Sequence, residues 1–255
     1  MDSKTISLWA LVGSILAGSQ TGLGQTVTKS ANIENWGASY INYVNGPNLK
    51  DGKEGSLNHY FVLKREINDD WAVSGVGRVD NFWGGEADEE AVKVGDHFIK
   101  VDYPTLYEAD SNKVYGHVRL YSGSSEAAQD DNVSFRLQPR IYATTSLGVY
   151  DFGYIFIPQY NSYSVEQDSQ TVAYQGHYFS VAYNLSRDVA LDFAAYPRWD
   201  YQRDGSRTFN DTPVYPGVTG KVTEALTVSG YFEVMAMKPE RETSTINAKI
   251  SYTMF

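Results

Sequence analysis

Residues 243–255, Thr-Ser-Thr-Ile-Asn-Ala-Lys-Ile-Ser-Tyr-Thr-Met-Phe, alternate between an apolar and a polar face. Ile246, Ala248, Ile250, Tyr252 and Met254 fall on one side, and Asn247, Lys249, Ser251 and Thr253 on the other. A repeat of two is that of a β-strand with one greasy and one wet side, because successive side chains leave opposite faces of a pleated chain. Such a strand left open at a sheet edge would template aggregation, so it needs a pairing partner. Closing the sheet into a barrel provides one.

The same alternation recurs along the chain. It predicts strands over about 34–44, 56–66, 71–80, 97–108, 114–121, 133–143, 147–160, 171–185, 189–201, 214–222, 226–236 and the final segment, an even count of twelve. Pro104 interrupts the fourth and predicts a bulge or a local loss of pairing there, since proline has no N–H to donate. Connections alternate in length. Short turns fall near 68, 110, 145, 186 and 224, and longer, charged loops near 50, 90, 127, 167, 207 and 240.

Composition narrows the class. Only residues 6–17 form a sustained apolar run, too short for the roughly 20 residues that a spanning helix needs. With the polar start before it and Gly22-Leu23-Gly24 after it, this reads as a secretory signal peptide over residues 1–24, leaving residues 25–255 as the barrel. Alternating strands hide their lipid-facing residues from hydropathy, so a membrane barrel stays open where a helical membrane protein does not. There are 0 Cys, hence no disulfide framework, and a net charge of -10 argues against nucleic-acid binding.

An alternating last strand that ends in Phe255, with short turns on one side of the sheet and long loops on the other, resembles bacterial outer-membrane β-barrel proteins. The resemblance implies an all-β, antiparallel up-and-down transmembrane barrel of twelve strands, with both termini in the periplasm. It implies contact with outer-membrane lipid and lipopolysaccharide, and an assembly signal at Tyr252 and Phe255 read by the barrel-assembly machinery. The signal is irregular, because Thr253 stands where a second outward apolar residue is usual; Phe255 either ends in a bulge or leaves Met254 as the last lipid-facing side chain.

Burying a basic side chain in the lipid midplane costs about 2–4 kcal/mol, so the charged faces are assigned to the lumen. They carry Lys64, Arg78, Lys100, Arg119, Arg136, Arg140, Arg198, Lys221 and Lys249, together with Glu66, Asp80, Asp102, Asp151, Asp192, Asp200 and Glu233. Arg119, Arg136 and Arg140 lie on adjacent strands with only Asp151 on the next to oppose them, a wall suited to carboxylates or phosphates. Twelve strands and such a wall resemble small monomeric porins that pass acidic oligosaccharides or sialic acid. The resemblance implies passive diffusion of small hydrophilic solutes, with anions favoured.

Three alternatives stand beside the pore. Cross-paired charges would fill a non-conducting structural barrel. The acidic loops would suit surface recognition, although Glu86, Asp88, Glu89 and Glu90 have no spacing of a hard-cation site, and no metal or cofactor is expected. A hydrolase resembling the twelve-stranded outer-membrane phospholipase needs a Ser two residues after a His. His59, His97, His117 and His177 are followed at that spacing by Phe61, Ile99, Arg119 and Phe179. Asp96 and His97 are adjacent on a strand and face opposite ways, so no catalytic residue is assigned.

Overall fold

The structure is a computed structural model and describes residues 35–48, 55–83, 92–239 and 244–253. The signal-peptide region, the acidic residues 86–90, Met254 and Phe255 lie outside the described residues.

The strands are β1 (Trp36–Asn48), β2 (Gly55–Glu66), β3 (Ala72–Trp83), β4 (Val92–Val94), β5 (Phe98–Ala109), β6 (Asn112–Ser122), β7 (Val133–Leu147) and β8 (Tyr150–Tyr163). They continue with β9 (Thr171–Asn184), β10 (Val189–Ala195), β11 (Arg198–Gln202), β12 (Arg207–Asn210), β13 (Pro213–Lys221), β14 (Leu226–Met235) and β15 (Thr245–Thr253). Three barrel strands are interrupted. β4 and β5 both pair with β3, β10 and β11 both pair with β9, and β12 and β13 continue the next strand, giving twelve spans. One interruption has a plain cause: Pro197 lacks an N–H, and the flanking Tyr196 N–H donates to Pro213 O at 3.0 Å.

Every pairing is antiparallel, and β15 closes the barrel by pairing with β14 on one side and β1 on the other, in a register that sets Tyr40 opposite Tyr252 and Asn45 opposite Asn247. Closure removes both edges, which is the requirement for crossing lipid with strands. Around Pro104 the step from Tyr103 to Tyr107 on β5 faces only the step from Gly116 to Val114 on β6, the expected bulge. Tyr103 lies over Gly116, whose missing Cβ makes room for the ring, and donates its hydroxyl to Arg140 O at 3.2 Å.

Two connections differ from the sequence reading. The turn expected near 145 lies at residues 148–149, because Thr144, Thr145 and Ser146 continue β7 and pair with Gly153, Phe152 and Asp151. The β-branched threonines suit a strand, whereas Gly148 supplies the positive φ of 62° that the turn demands. The loop near 127 contains a short helix, α1 (Glu126–Asp130), whose first turn is capped by Ser125 Oγ accepting from Ala128 N–H at 3.2 Å.

The outer surface is an apolar belt. Leu63, Ile99, Leu137, Phe179 and Ile250 are exposed on it, with Trp71, Tyr107 and Tyr150 at the turn end and Trp83 and Tyr160 at the loop end. No helix among the described residues is long and apolar enough to cross a membrane; the closed sheet with its apolar belt has the form of a membrane-spanning β-barrel. Tyr121, although near the loop end of β6, faces the lumen, since it shares the parity of His117 and Arg119. Polar groups on the belt satisfy one another. His59 shares hydrogen bonds with Tyr40 and Asn81 at 2.5 and 3.1 Å, and His177 with Tyr154 and Gln175 at 2.7 and 3.0 Å.

Inside, apolar side chains share the wall with the charges. Ile41, Val62, Val76 and Phe98 pack with Tyr43, Tyr60 and Tyr121, and Tyr142, Ile155 and Ile157 pack with Tyr115, Tyr174, Tyr178 and Tyr196.

Candidate functional site

The lumen holds a cavity of about 580 Å³. Of the residues expected to line it, Arg78, Arg119, Arg136, Arg140, Asp192 and Glu233 do so; Lys64, Asp80, Lys100, Asp102, Asp151, Arg198 and Asp200 lie off its wall. Most of the latter are partners in ion pairs formed two residues apart along one strand face. Lys64 meets Glu66 at 3.0 Å, Arg78 meets Asp80 at 2.8 Å, Lys100 meets Asp102 at 2.8 Å and Arg198 meets Asp200 at 2.9 Å. Period two places i and i+2 on the same side, so these pairs follow from local sequence.

The arginine wall is built differently from the expectation. Arg136 is paired with Asp96, a residue between β4 and β5 whose other carboxylate oxygen accepts from Ser125 N–H at 2.9 Å. Asp151 opposes none of the three arginines, being held at the turn end by Ser146 and by Asn184 at 2.8 Å. The reason is register: Asp151 pairs with Ser146, far along β7 from Arg136 and Arg140.

Arg119 and Arg140 have no carboxylate within ion-pair distance among the described residues. Arg119 donates from Nε to His117 Nε2 at 2.8 Å and from a terminal nitrogen to Tyr121 Oη at 3.3 Å, and stacks over the Phe98 ring at 5.1 Å. Arg140 donates from Nε to Gln138 Oε1 at 2.7 Å. Both guanidinium groups are thereby oriented by neutral partners and keep N–H donors for a solute. Gln138 is itself fixed, donating to Gln159 Oε1 at 2.7 Å and Tyr174 Oη at 2.5 Å.

Several cavity tyrosines went unrecognised in the sequence: Tyr43, Tyr174, Tyr178 and Tyr215 line it. Lys249, on the polar face of the last strand, lines it as well, its ammonium 5.5 Å from the Tyr43 ring centre. Parity was the available signal, because each lies an even number of residues from a lumen-facing position on its strand. The Asp96–His97 pair is drawn apart: Asp96 serves Arg136, while His97 Nδ1 accepts from Arg78 N–H at 3.2 Å. Outside the membrane span, the Glu224 carboxyl at the β13–β14 turn is held below the usual carboxylate range by hydrogen bonding and charge from Lys221.

No protein-family model matches this sequence, and no curated protein sequence matches it. Solved structures do resemble it. The NanC porin in a rhombohedral crystal form superposes with a TM-score of 0.54 at 11% identity, over 84% of this chain and 99% of that one. The KdgM porin superposes with a TM-score of 0.52 at 6% identity, over 84% of this chain and 98% of that one. At such identities the likeness is one of architecture, and this chain has the fold of small twelve-stranded outer-membrane porins.

Proposed function

We propose that this protein is an outer-membrane channel for passive diffusion of small hydrophilic solutes, favouring anionic groups at the wall formed by Arg119 and Arg140. The observation that carries the reading is a cavity within a closed barrel into which two arginines point with donors unspent on carboxylates. In a narrow, partly desolvated lumen, oriented guanidinium donors replace the hydration of a passing carboxylate. The porin names of the structural neighbours support the same function. Termini in the periplasm, assembly through Tyr252 and Phe255, and contact with lipopolysaccharide at the loop end belong to this proposal, as does the absence of catalysis.

Purified protein in a planar lipid bilayer is expected to give discrete conductance steps and, in a salt gradient, a reversal potential of anion-favouring sign. Absence of steps at every salt concentration would overturn the channel and leave a filled, structural barrel.

A further inference from the structure

The cavity has a second charged pole. β14 is the sixth strand from β6 whichever way the barrel is followed, so it forms the wall facing the arginines. Arg119, Arg140 and Glu233 are each the eighth residue of their strand counted from the turn end. With similar rise and tilt per residue, the three stand at one height in the lumen.

Glu233 has no basic group within ion-pair distance among the described residues. Among the described residues its one hydrogen bond is from Asn247 Nδ2, donating at 3.5 Å. Asp192, on β10 nearer the turn end, adds a second carboxylate, and its Oδ1 is buried without a hydrogen-bond partner. Lys249, on β15 beside this wall, leans over Tyr43 beyond ion-pair distance of both acids, and its charge acts on Asp192, which leaves Glu233 as the uncompensated acid facing the arginines. Positive donors on one side and carboxylate acceptors on the other create a field across the pore rather than along it.

We infer that the preferred solutes are zwitterions, molecules the size of an amino acid or dipeptide that carry both a carboxylate and an ammonium group. The inference rests on the channel reading above. A monoanion satisfies the arginines but meets Glu233 with like charge, and a monocation does the reverse. A zwitterion aligned across the lumen satisfies both walls and crosses without a net image of either charge. The cavity volume accommodates a dipeptide.

The test uses three matched probes at equal ionic strength and pH 6.5, added to the channel in a planar bilayer: glycylglycine, N-acetylglycine and glycinamide. Glycylglycine is expected to block ion current at concentrations about tenfold lower than the other two, the factor that one charged hydrogen bond supplies. Glu233→Gln should abolish the glycylglycine preference, raising the glycylglycine concentration for block while N-acetylglycine, relieved of the like charge, blocks at an equal or lower concentration than before. Glu233→Asp, which keeps the carboxylate, should retain the preference. N-acetylglycine blocking the unmodified channel as well as glycylglycine, or Glu233→Gln weakening both probes equally, would overturn the inference with the channel intact. Absence of any current would overturn the channel itself; titration calorimetry of glycylglycine into the detergent-solubilised barrel then decides the charge arrangement, tighter binding to the unmodified protein than to Glu233→Gln supporting it and equal or no binding overturning it.

Discussion

Arg119 directs its Nε–H at Nε2 of His117, 2.8 Å away, with both side chains buried in the lumen wall. The contact requires an unprotonated acceptor nitrogen, so it exists only while the imidazole is neutral. Lys100, Arg119 and Arg140 surround that ring with positive charge, and Asp102 Oδ1 lies 3.6 Å from its other nitrogen. The acceptor is therefore what orients Arg119: His117→Gln, whose amide oxygen also accepts, should leave the reversal potential close to that of the unmodified channel, whereas His117→Leu, which removes the acceptor, should change it.

Removing the two unpaired arginine charges should move selectivity the other way. Arg119→Gln with Arg140→Gln leaves the neighbouring hydrogen-bond acceptors served but takes away two positive charges. The reversal potential should shift toward cations, with each single variant contributing part of the change. An unchanged potential would remove the arginine wall from the selectivity mechanism.

Asp96 occupies Arg136 and joins the segment before α1 to the barrel rim. The pair is partly exposed, so a double-mutant cycle with Asp96→Asn and Arg136→Gln should give a coupling of about 1 kcal/mol in urea unfolding. Asp96→Asn alone should also make the channel more anion-selective, because it frees a third guanidinium.

Tyr103 covers Gly116 and bonds the Arg140 carbonyl. Tyr103→Phe keeps the ring and loses one hydrogen bond, costing about 1 kcal/mol. Tyr103→Ala also uncovers the glycine, so its cost should be larger by about 0.5–1 kcal/mol. Equilibrium unfolding in lipid vesicles separates the two.

Leu137 and Arg136 are sequence neighbours on opposite faces of β7. Leu137→Arg should destabilise the folded barrel by about 2–4 kcal/mol by placing a guanidinium in lipid. Arg136→Leu should cost less, since it breaks one partly exposed ion pair and leaves the outer belt untouched.

The charges that sequence placed correctly are those whose position needs only parity. Once Arg136 and Arg140 are assigned inward, Gln138 and Tyr142 follow, and pairs such as Arg78–Asp80 and Arg198–Asp200 follow from spacing alone. Tyr121 shows how a positional habit can mislead: aromatics near strand ends suggest a girdle, but its odd number on β6 puts it beside Arg119. The cavity tyrosines were equally accessible by parity and were obscured by their aromatic character, which reads as lipid-facing.

The sequence by itself determined the twelve alternating spans, the outward belt and the inward charge set, because a strand's two faces are fixed by counting in twos. Only the closed barrel decided which charges remain unpaired. Asp96 reaches Arg136 from a neighbouring connection, Asp151 falls at the turn end, and Glu233 stands across from Arg119 through the pairing of β15 with β1. Those relations depend on strand register and on circumference, which join residues far apart in the chain and leave no trace in local periodicity.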